Sequence, residues 1–191
     1  MAKKLPEKVY QLYISLRGSK PKIWRRFLVT EDTTVGKLHK IIQEVMGWDN
    51  YHLHEFTIDG IGYGEPSEDF DYTHIKDESK VKLADLDLTE KQKFGYVYDF
   101  GDDWDHELKV EKILPFDPAI KYPKCLDGKL ACPPEDCGGI WGFEEFVELS
   151  KKPEDDLDED ELERLEWLDD YDSEHFSVDE VNTVLWKRFA K

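Results

Sequence analysis

Thirteen residues constrain this chain more than any other stretch. From Phe94 to His106 the sequence Phe-Gly-Tyr-Val-Tyr-Asp-Phe-Gly-Asp-Asp-Trp-Asp-His sets five aromatics, four carboxylates and one imidazole side by side. The alternation on either side of the acidic centre has the period of half-buried strands. Phe94, Tyr96 and Tyr98 share one face of the first strand, and Trp104, His106, Leu108 and Val110 share a face of the second. Asp99 to Asp103 forms the turn between them, so residues 93–113 are predicted as a hairpin that must be covered by another layer.

The preceding residues build toward that hairpin. Val9 to Leu16 alternates as a strand, with Tyr10, Leu12, Ile14 and Leu16 on one face, and Gly18 to Pro21 turns the chain into a second strand, Ile23 to Val29. Its neighbours Arg25 and Arg26 must point to opposite faces, and one of them is expected to take a carboxylate partner. Thr33 or Thr34 caps a helix whose apolar positions Val35, Leu38, Ile41, Ile42 and Val45 recur at helical spacing until Gly47 stops it. Leu53 to Ile58, Asp59-Gly60 and Ile61 to Tyr63 read as a tight hairpin. Residues 64–80, with Pro66 and Glu68-Asp69-Phe70-Asp71, read as a surface loop, and Val81 to Leu88 fits either a strand or a helical turn.

Beyond the central hairpin, prolines and glycines crowd residues 115–139, which argues against regular structure over most of that length. Phe143 to Leu149 reads as a short helix ended by Pro153. Of the 21 residues from Glu154 to Glu174, 13 are acidic, yet Leu157, Leu162, Leu165 and Leu168 keep one apolar stripe. Ser177-Val178-Asp179-Glu180 has the form of a capping box and starts a final helix.

Charge divides the chain. Residues 1–46 hold 10 Lys/Arg against 4 Asp/Glu, net +6, leaving net −24 for residues 47–191 within a total of −18. Such a body repels phosphate backbones, so duplex nucleic acid is a poor partner and a basic protein a better one. Lys20, Lys22, Arg25, Arg26, Lys37 and Lys40, interleaved with Trp24 and Phe27, have the mixture used on single strands, but half of them fall on opposite faces of the sheet. No apolar run reaches the roughly 20 residues that span a bilayer. Three cysteines, all between 125 and 137, cannot pair evenly, which fits a reducing compartment and a cytoplasmic location.

Two constellations carry candidate chemistry. Cys125, Cys132 and Cys137 offer three thiolates, and His106 on the neighbouring hairpin is the best fourth ligand for zinc, with His52 or His54 in reserve; the alternative is reduced thiols packed in a loop. Tyr98, Asp99, Asp102, Asp103 and Trp104 form a candidate binding surface. With Asp105 and His106, the same carboxylates could hold a metal or act as a general acid and base; alternatively, they bond their own turn amides and His106 is a half-buried histidine bonded to Asp99, Asp102 or Asp103. Cys132 to Gly139 could shape an anion-binding nest ahead of the Phe143 helix, which Glu135 and Asp136 oppose.

Four motifs in order, Trp24-Arg25-Arg26, Leu53 to Gly60, Tyr98 to His106 and Cys132 to Gly142, make the chain resemble the plasmid pRiA4b ORF-3-like family. The resemblance covers most of the chain and implies an α+β domain and an association with plasmids or other mobile elements, without an established activity. A recombinase chemistry sometimes attached to such relatives would need an activated serine amid arginines, and every serine here lies in a polar or capping context.

The expected architecture is therefore α+β: a mixed or antiparallel sheet with packed helices, a β-β-α-β-β start and a helical acidic C-terminal portion. One domain is expected, with the start in 1–63, a loop in 64–80, the second hairpin, cysteine loop and short helix in 81–150, and the acidic helices in 151–191. The expected function is a non-enzymatic binding or accessory module for a protein partner. The alternatives are a metal-dependent hydrolase centred on His106 and the carboxylates from Asp99 to Asp105, and an acidic mimic of nucleic acid.

Overall fold

The computed structural model describes residues 5–66, 75–167 and 171–189. Its strands are β1 (Lys8–Leu16), β2 (Trp24–Thr30), β3 (His54–Ile58), β4 (Ile61–Gly64), β5 (Ile75–Asp77), β6 (Lys93–Tyr98), β7 (Trp104–Pro115) and β8 (Lys124–Lys129). The helices are α1 (Val35–Met46), α2 (Gly139–Leu149), α3 (Glu159–Trp167) and α4 (Val178–Phe189). All eight strands join one sheet in the order β5-β4-β3-β6-β7-β1-β2-β8, antiparallel except for the parallel pair β4 and β5. The fold is α+β.

Local chemistry sets the early elements. Thr34 is extended, and its Oγ1 accepts the Lys37 N–H at 3.1 Å, which satisfies one of the free amides at the start of α1. Gly47 closes the helix in the left-handed region at φ 101°, where a side chain would be strained, and returns its N–H to Gln43 O at 2.8 Å. Asp59 and Gly60 also take positive φ, 51° and 76°, as a two-residue hairpin turn requires. Leu38, Ile41, Ile42 and Val45 of α1 then meet Leu12, Ile14, Phe56, Tyr96 and Leu108 of the sheet in one buried cluster.

The two arginines of β2 separate as the strand period demands. Arg26 forks onto Glu111 at 2.6 and 3.0 Å, and Tyr13 stacks on Trp24 with ring centroids 5.4 Å apart. Arg25 is 1% exposed and has no carboxylate partner among the described residues. Its guanidinium instead donates to Val45 O (2.7 Å), Trp24 O (2.9 Å) and Lys129 O (3.0 Å) and lies 4.1 Å from the Phe176 ring. Phe27 is sealed in the core as well, so the basic stretch is not a continuous surface for single-stranded nucleic acid.

Three departures from the sequence reading have tertiary causes. Residues 75–77 of the expected surface loop form β5, because Gly62 to Gly64 offer a free strand edge; residues 68–71, like Leu168 of the acidic stripe, lie outside the described residues. Residues 124–129 of the proline-rich stretch form β8, since Pro123 precedes and Pro133 follows the strand without interrupting it. The outer edge of β8 is closed by Asn182 of α4, which accepts the Cys125 N–H at 2.8 Å and donates to Cys125 O at 2.9 Å. Finally, α2 begins at Gly139, four residues before the expected start. Residues 83–86 resolve the ambiguous stretch as a 3₁₀ turn.

The acidic C-terminal portion carries the helices α3 and α4, with irregular chain at 171–177 leading into α4. Arg164 of α3 forks onto Glu145 of α2 at 2.7 and 2.9 Å, and Lys152 reaches Glu161 at 2.7 Å. Ser177 Oγ accepts the Glu180 N–H at 3.3 Å at the start of α4, and Leu185 and Asn182 bury that helix against the sheet. Among the described residues no helix is long and apolar enough to cross a membrane.

Candidate functional site

Three loops meet at one end of the sheet: the descent from α1 into β3 (residues 48–53), the β6–β7 turn (99–103) and the lead into α2 (132–139). Tyr98, the last residue of β6, ties two of them together. Its hydroxyl accepts the N–H groups of Tyr51 (3.0 Å) and His52 (3.4 Å) and donates to the Glu135 carboxylate. Burial and that carboxylate both push the Tyr98 phenol well above its usual range, so it stays a donor. Asp99 N–H bonds Leu53 O at 2.8 Å, and Asp102 Oδ2 accepts the Gly138 N–H at 3.2 Å. At Gly139, φ 68°, an added Cβ would lie 2.4 Å from Asp102 O, so only glycine allows the turn and α2 to approach this closely.

The anion nest that the sequence offered as one reading of the start of α2 already holds an internal anion, the Asp102 carboxylate on Gly138. Asp99 closes its own turn by accepting the Gly101 N–H at Oδ1 (2.9 Å), as the turn reading anticipates. Its other oxygen, Oδ2, faces His52 Nε2 at 3.6 Å, and Asp136 Oδ1 faces the same nitrogen at 3.2 Å. The three ligand atoms lie within 4.8 Å of one another, the one such group of three or more His, Cys, Asp or Glu side chains among the described residues.

The predicted site residues distribute differently from the sequence expectation. Trp104 is 1% exposed and Tyr98 is buried, so both belong to the core beneath the turn and not to its surface. Asp99 is also buried, while Asp102 is half-buried and Asp103 exposed. His106 is sealed; its Nδ1 bonds Tyr96 O at 3.3 Å, not Asp99, Asp102 or Asp103, and its edge meets Trp48 at 5.3 Å. Burial lowers its pKa to about 4.

The cysteines are three buried free thiols. Cys125 lies on β8 with Sγ toward Arg26 O at 3.7 Å, and Cys137 starts the α2 turn with Sγ 4.0 Å from Gly139 O. Cys132 lies beneath Tyr171, whose hydroxyl donates to Cys132 O at 3.0 Å. Desolvation raises the Cys125 thiol to about 11, Cys137 to about 12 and Cys132 further still. No three of Cys125, Cys132, Cys137 and His106 bring their ligand atoms within 4.8 Å of one another.

Sequence reasoning missed a polar network under α1. His39 and His54 stack ring on ring, and His54 Nε2 donates to Glu78 at 2.8 Å. His39 Nε2 donates to Asn50 Oδ1 (2.6 Å), so its Nδ1 accepts the Tyr96 hydroxyl (2.9 Å), which accepts in turn from Gln43 Nε2 (2.9 Å). A cavity of about 870 Å³ opens beside it, walled by His39, Tyr51, His52, His54 and Glu78. The spacing of His39 four residues before Gln43 on one helical face was the available signal.

The comparisons agree with this architecture. A crystal structure of a protein of unknown function, MM3350 from Methanosarcina mazei Go1, is similar to this chain at 41% identity and TM-score 0.82, covering 92% of this chain and 98% of that one. The uncharacterised protein y4hQ of Sinorhizobium fredii (strain NBRC 101917 / NGR234) is 34% identical, covering 96% of each. The family model described as plasmid pRiA4b ORF-3-like protein matches residues 8–180, and the chain belongs to that family.

Proposed function

We propose that this chain is a non-enzymatic binding module, an accessory protein of plasmids or related mobile elements, that docks a basic segment of a protein partner at the three-loop end of its sheet. The observation that carries this reading is the pairing of exposed aromatics with loop carboxylates that no lysine or arginine among the described residues pairs with. Trp141 is 80% exposed, Tyr51 78% and Phe100 47%, each on or beside one of the converging loops. The loops themselves contribute Asp49, Asp99, Asp102, Asp103, Glu135 and Asp136, and contain no lysine or arginine. Aromatic faces and carboxylates together suit lysine and arginine side chains, which gain cation–π and charge attraction at once. Trp141 lies on α2, which packs against the acidic helix α3.

Removing residues 154–174 is a poor test, because Tyr171 and the Ser173 carbonyl, which accepts the Ala131 N–H at 3.0 Å, anchor the cysteine loop. Point changes at exposed positions are better. An arginine-rich peptide titrated against the full chain should bind in 0.1 M salt and weaken steeply by 1 M, as the Debye length shrinks from about 10 to about 3 Å. Trp141→Ala and Asp136→Lys should each weaken it at low salt. Binding indifferent to salt and to both substitutions rules out this surface.

A further inference from the structure

We infer that His52, Asp99 and Asp136 form a binding site for a divalent transition-metal cation of the zinc class, separate from the cysteines. Two ligand atoms about 2.1 Å from a common ion lie roughly 3.0 Å apart at a right angle and 3.4 Å apart at the tetrahedral angle. The edges here are 3.2 Å from His52 Nε2 to Asp136 Oδ1 and 3.6 Å from the same nitrogen to Asp99 Oδ2. Both edges from the imidazole nitrogen thus lie within about 0.2 Å of the tetrahedral value, and all three residues bring a ligand atom within 4.8 Å of the others.

The hydrogen-bond inventory points the same way. His52 Nε2 is sealed from solvent and makes no hydrogen bond, although two carboxylates face it. A protonated Nε2 turned toward either oxygen would form a strong bond, but the ring is angled so that it forms none. Asp99 is 6% exposed, and Oδ2 is the oxygen its turn does not use. A buried imidazole nitrogen left facing two carboxylates without a hydrogen bond costs free energy, and a shared cation removes that cost. The Tyr98 hydroxyl holds the His52 backbone and the Glu135 side chain, next to Asp136, without help from an ion, so the site needs little rearrangement.

The donor set decides the ion. One imidazole with two carboxylates suits zinc and its neighbours better than magnesium or calcium, which prefer oxygen alone. Three protein ligands leave at least one position open, and the 67% exposed Asp136 side chain puts that position at the surface. The site shares Asp99 and Asp136 with the proposed docking surface, so an ion here would offset part of the acidic charge that docking uses; metal titration and salt-dependent peptide binding read the two separately.

The test is spectroscopic. The full chain, stripped with a chelator under reducing conditions, is titrated with Co²⁺ and then with Zn²⁺. One equivalent of Co²⁺ should give visible ligand-field bands without the near-ultraviolet charge-transfer band of thiolate ligands, and Zn²⁺ should displace it. Asp136→Asn, at an exposed position, should weaken binding tenfold or more with an unchanged melting temperature in the absence of metal, whereas Asp103→Asn on the neighbouring turn should bind as the parent does. No saturable binding, parental affinity in Asp136→Asn, or a thiolate band would each overturn the assignment.

Discussion

His39 and His54 lie ring on ring, 3.3 Å between centroids and 2° from parallel, with Asn50 and Glu78 holding their outer nitrogens. Stacked imidazoles at this distance cannot both carry a proton cheaply. Burial, reinforced by the His54 ring, lowers the His39 pKa to about 3. His39 therefore stays neutral in the stack that joins α1 to β3, and acid should work against it.

The sign of that pH dependence follows from linkage. His39 and His106 have folded pKa values near 3 and 4, below the 6.5 of an unfolded histidine. Below pH 6.5 the unfolded chain binds protons that the folded chain refuses, so stability is full above that pH and falls as pH drops toward 4. Each group contributes up to about 1.4 kcal/mol per pH unit. Urea denaturation between pH 7.5 and 5 measures the slope, and a stability unchanged across that range contradicts the neutral assignment.

Trp104→Ala should cost about 3–5 kcal/mol, because a sealed indole packed 5.8 Å from Trp48 leaves a cavity that its neighbours cannot fill. Equilibrium unfolding of variant and parent decides it; parental stability would mean that the ring is not a core residue.

Arg25→Met should destabilise by about 3–5 kcal/mol even though no ion pair is broken. The change strands the carbonyls of Val45, Trp24 and Lys129, which link α1, β2 and β8. Arg25→Lys should rescue only part of this, since an ammonium cannot reach three acceptors with the planar fork. Full rescue by lysine would show that charge alone matters there.

Gly139→Ala should cost about 1–3 kcal/mol, combining a positive φ with a Cβ driven against Asp102 O. Gly95→Ala is the control, its Cβ meeting only Thr57 at 3.9 Å. Similar melting temperatures for both variants would show that the turn yields freely to α2.

Where neighbouring residues dictate the outcome, the sequence determined the structure. Thr34 and Gly47 bound α1, Asp59-Gly60 turns β3 into β4, and the alternation of Lys93 to Tyr98 marks β6 to the residue, because caps, turns and strand period are set within a few positions. The same local reading anticipated that one of Arg25 and Arg26 takes a carboxylate, though not which of them, nor that the carboxylate belongs to Glu111. Tertiary structure decided the rest. β5 and β8 are short strands whose apolar content is too small to announce them, and they exist because Gly62 to Gly64 and β2 offer unpaired edges. The convergence of His52, Asp99 and Asp136 was also hidden. It joins three loops distant in sequence, and it depends on one tyrosine hydroxyl and one glycine contact that no local pattern encodes. The cysteines, close in sequence, were the more visible metal candidates, but the sheet takes Cys125 for β8 and leaves Cys132 and Cys137 in the loop, since strand pairing and burial of the thiols govern their placement.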